Sequence, residues 1–119
     1  MGDIKKVGNL TVRATYAKHS PARHPLGLRT DCLGFIVEGS YQIYFPGDTD
    51  LFPDMVHLSG ELDVALLPVW GWGPTLGPGH MDPFQAAKTL RLLRPRLAIP
   101  IHWGSLHLWG LGRLNPRRF

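Results

Sequence analysis

The stretch from residue 62 to residue 101 constrains the fold of this chain more than any other part. Residues 62–69, Leu-Asp-Val-Ala-Leu-Leu-Pro-Val, form a near-continuous apolar run. A short apolar run bounded by turn signals reads as a strand covered on both faces. It leads into Trp70-Gly71-Trp72-Gly73-Pro74-Thr75-Leu76-Gly77-Pro78-Gly79, too rich in glycine and proline for helix or strand, so a long loop is expected there. Asp82 then stands where an N-cap belongs and Pro83 takes the first helical position. Phe84, Ala87, Leu90 and Leu93 recur on one side of the helix this implies, with Lys88, Arg91 and Arg94 on the other. Pro95 ends it, and residues 96–101 read as a last strand. A strand, helix and strand in this order predict two parallel strands joined by a right-handed crossover.

The first half of the chain is read from alternation. Residues 10–16 alternate in the manner of a strand, and residues 32–37 and 41–45 read as a hairpin around Glu38-Gly39-Ser40. Between them, residues 20–27 hold two prolines and a glycine and predict a surface loop. Residues 51–58 predict a short helix. The fold class that follows is α/β (α+β), a mixed sheet with helices on one face. One substantial amphipathic helix and one short one cannot cover both faces of strands this apolar, so an exposed apolar sheet face is expected.

At 119 residues and 44% apolar content the chain fits one small domain with a modest core. It holds no apolar run near the roughly 18 residues of a membrane span, and Met-Gly-Asp-Ile-Lys-Lys lacks the apolar stretch of a signal peptide, so a cytoplasmic setting is the default expectation. Cys32 is the one cysteine, which excludes an intrachain disulfide, and its place in an apolar run predicts a packed core thiol. The formal charge of +4 comes largely from arginines in the last third. A solvated helix face accounts for it, and no basic stripe interleaved with stacking aromatics marks a nucleic-acid module. Anionic small-molecule substrates are compatible with the charge.

Three segments carry metal-type ligands where a strand runs out: Ala17-Lys18-His19-Ser20, Phe45-Pro46-Gly47-Asp48-Thr49-Asp50 and Ile99-Pro100-Ile101-His102-Trp103-Gly104-Ser105. Singly, each has an ordinary explanation: Gly-Asp-Thr-Asp is a common turn and cap sequence, and a lone histidine at a strand end is more often structural than a ligand. Together, and in this order, they resemble the second half of the metallo-β-lactamase family. The likeness is to the branch containing ascorbate-6-phosphate lactonase and the N-acyl-phosphatidylethanolamine phospholipase D, and it spans residues 7–105.

That resemblance implies a metal-dependent hydrolase, in which a metal-activated hydroxide attacks a phosphoester, lactone or amide. It implies that His19 binds a first metal, that Asp48 bridges two, and that His102 binds the second, with zinc as the ion, up to two per complete site, and manganese or iron as alternatives. Gly79-His80-Met81-Asp82-Pro83 resembles a further segment facing the active site, which makes His80 a candidate for orienting substrate or exchanging protons. A histidine flanking a helix near solvent is the competing reading. Asp48 and His80 are thus the catalytic candidates, and Thr49 or Ser105 are candidates to orient the ligands. His24, His57 and His107 match no ligand of the family. Trp70, Trp72, Trp103 and Trp109 fall in loops expected to rim the site; Trp72 and Trp103, with His80, are candidates to contact substrate, although plain packing explains the tryptophans nearly as well.

The family's His-x-His-x-Asp-His cluster occurs nowhere in residues 1–119. Three ligands divided between two ions fall short of the three or more protein ligands that a catalytic zinc normally has. The chain is therefore expected to be the C-terminal half of an αββα sandwich whose N-terminal metal-binding half is absent, inactive alone, and to pair with that half or with itself. A non-catalytic interaction module is the competing function.

Overall fold

A computed structural model describes residues 2–19, 32–69 and 79–102. Six strands form one sheet whose spatial order is the order of the chain: β1 (Ile4–Val7), β2 (Leu10–Tyr16), β3 (Leu33–Glu38), β4 (Gln42–Phe45), β5 (Val64–Pro68) and β6 (Leu97–Ile101). The first four pair antiparallel, and β4, β5 and β6 pair parallel. A 3-10 helix, Pro53–Leu58, joins β4 to β5, and α1 (Pro83–Leu93) lies between β5 and β6. The mixed sheet, the hairpin and the parallel β5–β6 pair are as the sequence predicts. The short helix before β5 is 3-10 rather than α-helical, consistent with a segment of six residues opening on proline.

Three further features differ from expectation. Strand β1 was not anticipated, because all four of its residues are exposed and no burial pattern marks them. Its signal is the Gly8-Asn9 dipeptide, with Gly8 at φ 62°, which turns Val7 back onto Leu10. The second concerns the phase of α1. Its buried residues are Ala86, Thr89 and Leu93, with Leu90 packed beside them, whereas Phe84 is 81% exposed and Ala87 is exposed too. Positions 86, 89, 90 and 93 make the true apolar stripe. Thr89 escapes a hydrophobicity pattern because its hydroxyl is satisfied internally, donating to the Gln85 carbonyl at 2.8 Å. Cys32 is half-buried just before β3 and takes no place among the core residues, correcting the expected core thiol.

The core occupies one face of the sheet. Ile36, Tyr44, Ala65 and Leu67 project to the same side by strand alternation and register, and pack with Phe52 and Met55 of the 3-10 segment and Met81, Ala86 and Leu93 of the helical segment. The opposite face holds Leu33, Phe35, Phe45, Leu97 and Ile99, each 37–54% exposed. Apolar strands with helices on a single side produce this asymmetry, as the count of covering elements predicts.

Tyr44 is fully buried in that core. Burial pushes its phenol up to about 12, an effect that the neighbouring Thr15 hydroxyl partly offsets. Neither hydroxyl has a hydrogen-bond partner of good geometry among the described residues.

Candidate metal centre

Sheet direction decides where the ligands gather. Strand β2 is reversed by β3 and restored by β4, so β2, β4, β5 and β6 all run the same way. His19, Asp48, His80 and His102 each follow the C-terminal end of one of these strands. They therefore emerge at one edge of the sheet.

Local sequence then aims each segment. Gly47, at φ 68°, makes the left-handed turn that brings Asp48 off β4; a Cβ there would stand 3.1 Å from the Leu33 carbonyl. Lys18 forms an isolated antiparallel bridge with Asp50, which fixes the His19 segment against the Asp48 loop. Thr49, fully buried, strengthens the same junction: its hydroxyl accepts the Lys18 N–H at 2.8 Å and donates to the Asp50 carbonyl at 2.9 Å. It thus acts on the His19 segment through the backbone of Lys18. His80 lies between Gly79, at φ 90°, and the capped start of α1. His102 has φ 61°, an uncommon and strained backbone for a residue with a side chain, at the point where the chain leaves β6.

These elements converge on one carboxylate oxygen. Asp48 Oδ2 lies 3.3 Å from His19 Nε2, 3.2 Å from His80 Nε2 and 4.0 Å from His102 Nε2. The His19 and His80 rings meet edge to face with centroids 4.9 Å apart. Ligand atoms from His19, Asp48 and His80 all lie within 4.8 Å of one another. Atoms bonded to one zinc ion at about 2.0–2.2 Å stand roughly 3–4 Å apart, so modest contraction brings this set onto an ion.

The chemistry of the donors supports the fit. Asp48 Oδ1 is buried and has no hydrogen-bond partner among the described residues. A buried carboxylate oxygen left in this condition is costly unless a cation or donor meets it. Imidazole nitrogen and carboxylate oxygen, half-buried and aimed at a common point, suit a divalent first-row metal. The structure thus brings close together the four candidates that the sequence names as a set, His19, Asp48, His80 and His102. It adds that His80 approaches Asp48 as closely as His19 does, which only the tertiary fold discloses. Trp70, Trp72, Trp103, Trp109, Ser105, His24, His107 and the loop at residues 20–27 lie outside the described residues. His57 sits exposed on the 3-10 helix.

Comparison with known proteins bears on the family and the fold. Residues 3–103 match the family described as the β-lactamase superfamily domain. The chain is 30% identical over 105 residues to a UPF0173 protein of Pyrococcus furiosus, covering 88% of this chain and 44% of that protein. It is 40% identical over 89 residues to a UPF0173 metal-dependent hydrolase of Nanoarchaeum equitans, covering 72% of this chain and 37% of that one. Among solved structures, a metallo hydrolase from the hyperthermophilic archaeon Ignicoccus hospitalis superposes with a TM-score of 0.66 at 29% identity, over 89% of this chain and 44% of that one. The chain spans less than half the length of these relatives.

Proposed function

This chain belongs to the β-lactamase superfamily, and from that premise we propose that it supplies part of the active site of a metal-dependent hydrolase acting on a phosphoester, lactone or amide. The observation that carries the reading is the approach of three imidazole Nε2 atoms to Asp48 Oδ2, at 3.2, 3.3 and 4.0 Å. His19, Asp48 and His102 hold the metal in this reading, with Asp48 shared between two ions when the site is complete. When bound there, a divalent ion supplies a water made acidic near neutral pH and a polarised carbonyl or phosphoryl group. His80, whose ring nitrogen lies within 4.8 Å of the His19 and Asp48 ligand atoms, either joins them on the ion or, unbound, orients substrate and exchanges protons.

Zinc is the ion of choice for this donor set, with manganese and iron as alternatives. The likeness of the His19, Asp48 and His102 segments to the lactonase and phospholipase branch favours a lactone or phosphoester over an amide. Trp72 and Trp103 complete the proposed substrate contacts. We place the protein in the cytoplasm; no helix among the described residues is long and apolar enough to cross a membrane. Its main partner, beyond a small-molecule substrate, is a polypeptide carrying the His-x-His-x-Asp-His ligands, seated on the exposed apolar sheet face. A non-catalytic interaction module is the second reading, favoured by that same face.

Zinc titration separates the two readings. The chain alone is expected to bind zinc weakly, and to bind it tightly and hydrolyse a chromogenic phosphodiester or lactone once a segment bearing the cluster is added. Asp48→Ala is expected to weaken binding by more than the roughly 10–100-fold that loss of an outer-sphere partner costs. Wild-type zinc binding in Asp48→Ala would overturn the site. Tight binding of two zinc ions by the chain alone would overturn the ligand count on which the need for a partner rests.

A further inference from the structure

One side chain touches all three segments that carry His19, Asp48 and His80. Asp50 lies two residues beyond Asp48. Its backbone N–H donates to the Lys18 carbonyl at 2.8 Å, and its Oδ2 stands 3.6 Å from Lys18 Nζ, one residue before His19. Its Oδ1 accepts the Leu51 N–H at 2.7 Å and the side-chain amide of Gln85, through Nε2, at 2.8 Å. Gln85 is held in turn at the start of α1: its backbone N–H donates to Asp82 Oδ1 at 2.7 Å, and its Oε1 accepts the Asp82 N–H at 3.0 Å. His80 lies two residues before Asp82.

The chemical identity of residue 85 shows that more than helix capping is involved. A capping box is satisfied equally by glutamate or glutamine at the third helical position, because only an acceptor for the N-cap N–H is required. Gln85 uses both ends of its amide, the oxygen for the cap and the nitrogen for Asp50. A glutamate could serve the first contact but not the second, where it would set two carboxylates against each other. Rotating the amide would break both bonds at once, so the distance between the α1 start and the Asp50 turn is fixed.

We infer that Gln85 and Asp50 form a strut that sets His80 against Asp48, and that Gln85 is a positioning residue for the metal centre, an inference that rests on the metal-site reading above. The strut runs from the Asp48 loop through Asp50 and Gln85 to Asp82 and His80, while the contacts of Asp50 with Lys18 tie in His19. Partners bonded directly to a ligand typically change metal affinity by about 10–100-fold, and Gln85, which acts through Asp50 and Asp82, is expected at the low end of that range.

Imidazole ¹⁵N NMR of the full chain, with and without zinc, tests this on Gln85→Glu and Gln85→Met. Gln85→Glu keeps the cap acceptor, and Gln85→Met removes the donated bond without adding charge. In the metal-free protein both are expected to shift the His80 ring signals and to leave those of His57, on the exposed 3-10 helix, unmoved. Zinc affinity should fall about tenfold in both, with the helical circular-dichroism signal of Gln85→Glu retained. A purely capping role predicts wild-type behaviour of Gln85→Glu in both readouts, and that result would overturn the inference. Should the wild-type chain bind no zinc even with a segment bearing the His-x-His-x-Asp-His cluster, the metal reading fails separately. The His80 shifts then decide the strut alone: movement upholds it and stasis overturns it.

Discussion

Gly34 shows how closely single atoms control the site. A Cβ at this position would stand 2.8 Å from Thr15 Oγ1 and 2.9 Å from the Pro46 Cα, and Pro46 is two residues before Asp48. A side-chain hydroxyl can rotate away, but backbone cannot. Gly34→Ala is therefore expected to destabilise the chain by about 1–3 kcal/mol, the usual cost of overpacking, and to weaken zinc binding by moving the Asp48 loop. Denaturant midpoints and zinc titration check the two effects. Tyr44 offers a different handle. Its phenol is pushed up to about 12 by burial, above the 10.0 of an exposed tyrosine, so the folded state holds the proton more tightly than the unfolded state does. The stabilisation this confers is fully present below pH 10 and is lost as pH rises through about 12. A shift of this size corresponds to about 3 kcal/mol at 1.36 kcal/mol per unit. Tyr44→Phe should remove that alkaline decline. Because the hydroxyl has no partner of good geometry, it should also be neutral or slightly stabilising at pH 7, by urea unfolding at both pH values.

Among the elements, α1 carries most of the local information. Asp82 accepts the Gln85 N–H at 2.7 Å and completes a capping box, so Asp82→Ala is expected to cost about 1 kcal/mol, read from the thermal midpoint. This cap was legible in the sequence, since Asp-Pro before an apolar stripe leaves few alternatives. So were β2, the β3–β4 hairpin and the β5–α1–β6 unit, which show alternation, apolar runs or helix signals in the local sequence. The elements that escaped carry no such local pattern. Strand β1, all four residues exposed, is held by ladder bonds and a Gly8-Asn9 turn. The phase of α1 was set by Thr89, a polar residue satisfied by its own helix, while Phe84 faces out. Cys32 sits just ahead of β3, where an apolar neighbourhood in sequence does not mean a core position. For the site, the resemblance of three strand-end segments made His19, Asp48 and His102 candidates, but a pattern along the chain cannot measure the 3.2 Å from His80 to Asp48. That distance is set between segments far apart in the chain, which meet through contacts such as Asp50–Gln85, 35 residues apart.

At the scale of the whole molecule, the described helices lie on one side of the sheet and the candidate ligands at one edge, and among the described residues a second apolar face stays open. Leu33, Phe35, Phe45, Leu97 and Ile99 share it, across strands from β3 to β6. Contiguous apolar patches above roughly 400 Å² on a water-exposed chain mark an interface or an aggregation hazard. The proposed partner bearing the remaining ligands has to approach the edge that holds Asp48, and a layer laid on this face reaches that edge. Without it, two copies of the chain are expected to bury the face against each other. Sedimentation of the chain alone should therefore show mass rising with concentration. Phe35→Lys, at the middle of the patch, should shift the distribution toward monomer while keeping the circular-dichroism spectrum, because its partner Phe45 is also solvent-facing and no core contact is lost. Adding a polypeptide with the His-x-His-x-Asp-His ligands should replace self-association by a one-to-one complex, and Phe35→Lys should weaken that complex as well. A wild-type monomer at every concentration, unchanged by the added polypeptide, would show that this face needs no cover and that the ligands missing from the metal centre are not delivered across it.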